Sequence, residues 1–353
     1  MALVELLLGA GADPLARCRG TFGRDFQPIF WAAQWSARIV QRLMSAGASI
    51  DGDVAGNSTL LCAAGARTAR GVRMIPALVA LGARETLGNR AMYAFAGWPV
   101  EGAPASDEEL RAALTALVSV GCSLTEPSMD GYTPTDLAAR FGNAPVVRTL
   151  LALGAAATTK SLAHAVEHPE IVRLLLAGGA RPGGLVRVSA GDHTATPLMA
   201  AARSSSLQSV RLLLAAGASL IQRNERGLTA LMYALLSEAT DATAVPCVVE
   251  ELLIAGSDVA ARDADGDTPL HVLTQRCATQ PWAAGVARLL LGNGADADAT
   301  NKAGLKPAGC VPDAGEGGED DRDGDVDGGA GEGRAAARDE LVALLLEAEG
   351  EEA

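Results

Sequence analysis

The stretch Gly131-Tyr-Thr-Pro-Thr-Asp-Leu-Ala-Ala139, followed by Val146-Val-Arg-Thr-Leu-Leu-Ala-Leu-Gly-Ala155, decides how this chain folds. Thr133 can cap a helix through its hydroxyl, and Pro134 stands in the first turn, where a proline gives up no hydrogen bond. Leu137 and Ala138 begin a short buried helix, and Asn143-Ala-Pro145 interrupts it with turn chemistry. Val146, Val147, Leu150 and Leu151 then recur at helical spacing and mark a second, amphipathic helix. Gly154 ends that helix in the left-handed conformation a glycine tolerates. The product is a helix–turn–helix plus a loop, too small to bury its own apolar face, so a core forms only when such units stack.

Both halves of the phrase return along the chain. Leu-Leu-x-x-Gly-Ala, with small variations, places glycines at 11, 47, 82, 121, 154, 179, 217, 256 and 294. The gaps are 36, 35, 39, 33, 25, 38, 39 and 38 residues. The first half recurs as Thr196-Pro-Leu-Met-Ala-Ala-Ala202, Gly227-Leu-Thr-Ala-Leu-Met-Tyr-Ala234 and Gly266-Asp-Thr-Pro-Leu-His271. Weaker copies are Gln27-Pro-Ile-Phe-Trp-Ala-Ala33 and Ser58-Thr-Leu-Leu-Cys-Ala-Ala64. Three departures stand out. The repeat containing Ala163-His164-Ala165 lacks the Thr-Pro-Leu phrase and is the shortest. Another carries an insertion around Trp98-Pro-Val-Glu-Gly-Ala-Pro104. Leu3-Val-Glu-Leu-Leu-Leu8 reads as a second helix without its first, either half a repeat or the continuation of upstream sequence.

Thr268-Pro-Leu-His271 together with Leu-Leu-x-x-Gly-Ala resembles the ankyrin repeat, a unit of about 33 residues. The resemblance covers residues 1 to about 310. It implies an all-α ankyrin-repeat solenoid of about nine to ten helix–turn–helix repeats over 1–310, the first incomplete. Residues 311–333 are nearly all Gly, Asp and Glu and are expected to be disordered. Residues 334–353 read as an amphipathic helix that caps the array. On this reading Pro307–Val311 is a remnant first helix and Leu341–Leu346 the second helix of a last unit, split by the acidic insertion.

Composition agrees with closely packed helices: 49% of residues are apolar but only 3% aromatic, so the core is built from Leu, Val, Ala and Met. The net charge of −13 is unevenly spread. Residues 313–353 hold 15 acidic and 3 basic side chains, a balance of −12, which leaves −1 for residues 1–312. A near-neutral body has no basic stripe to displace counterions, which argues against nucleic acid as a partner. No run of 18 apolar residues spans a membrane, and Glu5 interrupts the only apolar stretch near the start, so no secretory signal is read. Six cysteines without a Cys-x-x-Cys read as reduced, packed thiols of an intracellular, cytoplasmic or nuclear protein. A monomer is expected.

The resemblance implies a concave face of loop tips and first helices that binds another protein. Its candidates are Arg223, Asn224, Glu225 and Arg226 in one tip, Arg262, Asp263 and Asp265 in the next, and Asp298, Asn301 and Lys302 in a third. Trp35, Trp98 and Trp282 fall at helix ends or in insertions and would anchor a partner if exposed, whereas Trp31 is read as core. Catalytic constellations are weak. His164-Ala-Val-Glu-His168 spells an inverted zinc-protease motif, but Pro169 follows at once and puts His168 in a turn. Asp323-Gly-Asp-Val-Asp-Gly328 starts like a calcium loop, but its twelfth position is Arg334. Gly328-Gly-Ala-Gly-Glu-Gly333 lacks the strand and the Lys-Ser/Thr of a phosphate loop. His271 is expected to tie its loop by hydrogen bonds. The sequence therefore reads as a protein-binding adaptor, not an enzyme, with no cofactor and no metal. An acidic segment recruiting basic partners or divalent cations is the alternative, and a zinc hydrolase ranks last.

Overall fold

The structure is a computed structural model that describes residues 2–19, 25–51, 58–66, 68–85, 88–97, 105–187, 194–237, 243–312 and 328–350. It divides into two compact units, Met1–Ser161 with Ala177–Ala180, and Leu162–Leu176 with Arg181–Ala353.

The N-terminal unit opens with α1 (Ala2–Gly9) and a two-stranded antiparallel ladder, β1 (Cys18–Arg19) against β2 (Asp25–Phe26). Then come α2 (Pro28–Ala32), α3 (Ala37–Ser45), α4 (Thr59–Ala64), α5 (Ala69–Ala80), α6 (Arg90–Gly97), α7 (Asp107–Ser119), α8 (Pro134–Arg140) and α9 (Ala144–Ala152). The first helices pack side by side in the order α2, α4, α6, α8, and the second helices in the order α3, α5, α7, α9. Each first helix also packs on the second helix that follows it. α10 (Thr159–His164) straddles the boundary and is followed by α11 (Pro169–Ala177).

The C-terminal unit repeats the plan. A second short ladder, β3 (Val186–Arg187) against β4 (Thr194–Ala195), leads into α12 (Pro197–Arg203) and α13 (Leu207–Ala215). α14 (Ala230–Leu235), α15 (Ala244–Ile254), α16 (Pro269–Cys277) and α17 (Ala283–Gly292) follow. A single 3-10 turn, Pro307–Cys310, packs on α16, and α18 (Gly328–Gly350) packs on both that turn and α17. The turn thus stands where a first helix stands elsewhere, and α18 where a second helix stands. α18 begins at Gly328, not at Arg334 as read from the sequence; each glycine costs up to about 1 kcal/mol against alanine, so this first stretch depends on the helix already nucleated after it.

Local chemistry explains the elements. First helices are short, Ala-rich and almost wholly buried: all six residues of α14 are inside, as are Ala138 and Ala139 of α8. Small side chains let neighbouring first helices approach closely. Second helices bury a single stripe, such as Val146, Val147 and Leu150 in α9, each worth about 1.5–3 kcal/mol on leaving water. Thr133 accepts a hydrogen bond from the Asp136 amide at 3.2 Å, and Asp136 accepts one from the Thr133 amide at 3.0 Å, closing a capping box. At the other end Gly154 adopts φ +93°, and the Ala155 amide reaches back to the Leu150 carbonyl at 3.0 Å. The short repeat without Thr-Pro-Leu uses Thr158 as its cap, accepting from the Ser161 amide at 3.0 Å. Only four positions separate Gly154 from Thr158, against twelve from Gly121 to Thr133, so this repeat has no room for a loop finger.

Candidate protein-binding surfaces

Three successive loops of the C-terminal unit share one geometry. Asn224, Asp263 and Asn301 each open a turn in which their own amide donates to the carbonyl four residues on, at 3.2, 3.0 and 3.0 Å. Each also accepts, on its side-chain Oδ1, from the amides two and four residues on: Arg226 and Leu228 at 3.0 Å, Asp265 and Asp267 at 2.9 Å, Ala303 and Leu305 at 3.0 Å. Adjacent turns are cross-linked through the backbone, Ala264 N–H to the Arg226 carbonyl at 2.8 Å and Lys302 N–H to the Asp265 carbonyl at 3.0 Å. Gly266 sits at φ +80°, and a Cβ there would stand 3.0 Å from the Lys302 nitrogen, so any side chain would meet both a strained backbone and the neighbouring turn.

These contacts sort the tip candidates. Asn224 is buried, with its amide group on the Tyr233 hydroxyl at 3.0 Å, which removes it from the surface a partner could reach. Asp263 and Asn301 use their side chains to build the turn, and Asn301 also donates to Asp267 at 2.8 Å. Their sequence signal was an Asp/Asn-x-x-Gly recurring with the repeat, which marks a turn more directly than a ligand. Arg223 donates to the Arg262 carbonyl at 2.8 Å, and Arg262 to the carbonyls of Gly266 at 3.2 Å and Thr300 at 2.6 Å. Glu225 accepts from the Thr194 amide at 3.2 Å and from its hydroxyl. Lys302 donates to the Ala264 carbonyl at 2.6 Å. Asp298 pairs with Lys306, and this hydrogen bond, with a lesser one to Glu349, holds the Lys306 ammonium above its ordinary range. Arg223, Glu225, Arg226, Arg262, Asp265 and Lys302 remain exposed, with Glu225 and Arg226, then Asp265, then Lys302 at the crests of the three turns.

The N-terminal unit exposes aromatic rings instead. Trp35 is 59% exposed, with the Arg70 guanidinium 5.3 Å from its ring centre. Trp31 is 48% exposed, contrary to its reading as core. α2 has only five residues, too few to fix a face by periodicity; Ile29 and Phe30 take the buried side and turn Trp31 outward. Phe141 is 41% exposed beside Arg140, whose guanidinium lies 5.9 Å from that ring and 5.6 Å from Tyr132; Lys160 stands 4.5 Å from Tyr132. Trp282 is buried and is not an anchor. Trp98 lies outside the described residues.

The catalytic motifs resolve by geometry. His164 is the last residue of α10, the chain leaves the helix at Ala165, and Pro169 starts α11, so His164 and His168 do not share one helix face. Among the described residues no three His, Cys, Asp or Glu side chains are grouped to hold a metal. Residues 323–327 of the calcium-like motif lie outside the described residues, and the glycine run 328–333 forms the first turns of α18. His271 is fully buried. Its Nδ1 accepts from the Thr268 amide at 3.2 Å and sits 2.8 Å from the Thr268 hydroxyl, so Nε2 carries the proton and donates to the Leu305 carbonyl at 3.0 Å. Burial pushes the Cys62, Cys122 and Cys277 thiols up to about 12, which makes them poor nucleophiles. Cys247 is exposed on α15, unlike the packed thiol expected.

Ankyrin-repeat family models match residues 130–160 and 265–302, and a model of three ankyrin copies matches 161–245. Residues 130–302 carry ankyrin repeats. No curated protein matches it significantly. The ankyrin match coincides with the repeats whose Thr-Pro-Leu phrase is clearest and with the short repeat between them. α2 to α7 follow the same side-by-side order without a match: Ser58 keeps the helix cap, accepting from the Leu61 amide at 3.0 Å, but Gln27 makes no side-chain cap and both copies lose the rest of the signature. Ankyrin repeats are general protein-interaction modules and are typically non-catalytic. Among the described residues no helix is long and apolar enough to cross a membrane.

Proposed function

We propose that this chain is a protein-binding adaptor that presents its loop tips and first helices to a partner protein. The observation that carries the reading is the backbone cross-linking of successive turns, Arg226 to Ala264 and Asp265 to Lys302. Exposed side chains on crests held this way lose little freedom on binding, which is what a preorganised interface needs. The crests carry both signs, Glu225 and Arg226 in one, Asp265 in the next and Lys302 in the third, which suits a partner surface of mixed charge rather than a uniform polyanion.

The test is affinity capture from source-cell lysate with three versions of the chain. They are the full chain, one lacking only Asp313–Gly333, and one carrying Arg226→Ala, Asp265→Ala and Lys302→Ala together. Partners that survive the deletion and are lost with the triple substitution support the adaptor reading. Partners lost with the deletion, and released above about 0.3 M salt, assign binding to the acidic segment instead.

A further inference from the structure

One position of the repeat changes chemistry along the N-terminal unit. Seven residues beyond the first residue of each first helix stand Trp35 after α2, Ala66 after α4, Gly97 in α6 and Phe141 after α8. These first helices lie side by side in that order, so the four positions form a row with a ring at each end and, between them, a half-buried Ala66 and a Gly97 buried beneath the Phe141 ring. Phe141 lies over Gly97, where an added Cβ would be 3.7 Å from the ring. In the C-terminal unit the same position holds Ser204, Ser237 and Arg276, with no ring.

Length and charge define what fits. Packed helices lie about 8–10 Å apart, so three steps span roughly 24–30 Å, the reach of about eight or nine residues of extended chain. Cations flank both ends, Arg70 at Trp35, and Arg140 at Phe141. Among the described residues of these first helices and the turns that follow them, the only carboxylate is Asp136. It is buried and held by the Thr133 amide at 3.0 Å and the Ser161 hydroxyl at 2.6 Å. The first turn of the following helix, α7, carries Asp107, Glu108 and Glu109; Asp107 pairs with Arg148 at 3.5 Å and Glu109 with Arg73 at 3.4 Å, while Glu108 is exposed.

We infer that this row binds an extended acidic segment of a partner protein, about eight or nine residues long. An apolar side chain at each end lies against Trp35 and Phe141, and the carboxylates between them meet Arg70 and Arg140. The inference rests on the adaptor reading and specifies the partner of its N-terminal face.

Fluorescence anisotropy on the full chain tests it. The probe is a fluorescein-labelled nine-residue peptide with leucine at each end and glutamates between, compared with the same peptide carrying lysines. The glutamate peptide should bind and the lysine peptide should not. Trp35→Ala and Phe141→Ala should each weaken binding by about tenfold or more, and Arg70→Glu with Arg140→Glu should remove it. All four side chains are exposed, so melting temperatures should hold; if either alanine variant melts early, Trp35→Leu and Phe141→Leu replace it. Equal binding of the two peptides, or binding unaffected by loss of both rings, overturns the inference. If the peptide fails while a captured partner still depends on Arg226, Asp265 and Lys302, the adaptor reading stands and only this inference falls.

Discussion

Gly131 and Gly266 close the same turn in the two units, at φ +75° and +80°, yet their surroundings differ. Beside Gly266 the backbone of the next loop comes within 3.0 Å of where a Cβ would stand; beside Gly131 the nearest atom is the Lys160 ammonium at 3.7 Å. The repeat after Gly131 is the short one, which has no loop finger, and Lys160 reaches back from it to the Gly131 carbonyl at 2.5 Å. One flexible side chain replaces a backbone cross-link. One layer in, the units converge: Asp136 caps Thr133 and receives the Ser161 hydroxyl of the next repeat, while His271 caps Thr268 and donates to Leu305 of the next. The third helical position therefore bridges a repeat to its successor, and a carboxylate or an imidazole serves if it can reach both ways.

The largest effects should come from cutting these bridges. His271→Ala and Asp136→Ala each leave buried partners unsatisfied, and His271→Ala also opens a void, at a cost of about 2–4 kcal/mol. Hydrogen exchange of α16 and of α8, read separately because repeat arrays need not unfold in one step, measures each loss. If Asp136 acts as a bridge, adding Ser161→Ala to Asp136→Ala should cost well under the sum of the two, with a coupling of about 1 kcal/mol or more. Strict additivity would reduce Asp136 to a simple cap.

The glycine pair should differ by less. Gly266→Ala meets both an unfavourable φ and the Lys302 backbone, for about 2–3 kcal/mol; Gly131→Ala meets the φ cost alone, about 1 kcal/mol. Urea titrations of the two variants would decide it, since equal losses would mean that the missing finger does not govern the turn.

Much of this was legible in the sequence. The helix pairs, their caps and their terminal glycines followed from Thr133-Pro134, Val146 to Leu151 and Gly154, because each rests on chemistry within a few residues. Trp31 was misread because a five-residue helix offers too little periodicity to tell its faces apart. Asn224 was misplaced because a loop residue that accepts two amides looks, in one dimension, like any polar tip. The row Trp35, Ala66, Gly97, Phe141 was invisible as well, since it exists only once first helices lie side by side.

Alkaline pH should weigh more heavily on the N-terminal unit, which holds two strongly raised thiols, than on the C-terminal unit, which holds one of the three. Cys62 and Cys122 in one and Cys277 in the other share a folded-state value of about 12, against 9.0 for a free thiol. Above pH 9 the unfolded chain sheds these protons while the folded chain keeps them, so stability falls as pH rises. Each thiol contributes a loss of about 1.4 kcal/mol per pH unit until about pH 12. Replacing all three with alanine should flatten that branch of a stability–pH curve. At pH 8, iodoacetamide followed by peptide mass spectrometry should label exposed Cys247 well before any of them.

The smallest effect returns to the opening contrast. Lys160 and Lys302 both donate to a neighbouring loop carbonyl, but Lys302 does so beside its own backbone bond to Asp265, whereas Lys160 acts where no finger exists. Lys302→Ala should therefore change stability by at most about 0.3 kcal/mol, within the range of an exposed charge. Lys160→Ala also gives up the ammonium over Tyr132 at 4.5 Å and should cost about 0.5–1 kcal/mol, with faster exchange at the Gly131 and Tyr132 amides. If Lys302→Ala proved the costlier of the two, the lysine would be holding the C-terminal turns together and the backbone cross-links would be its consequence.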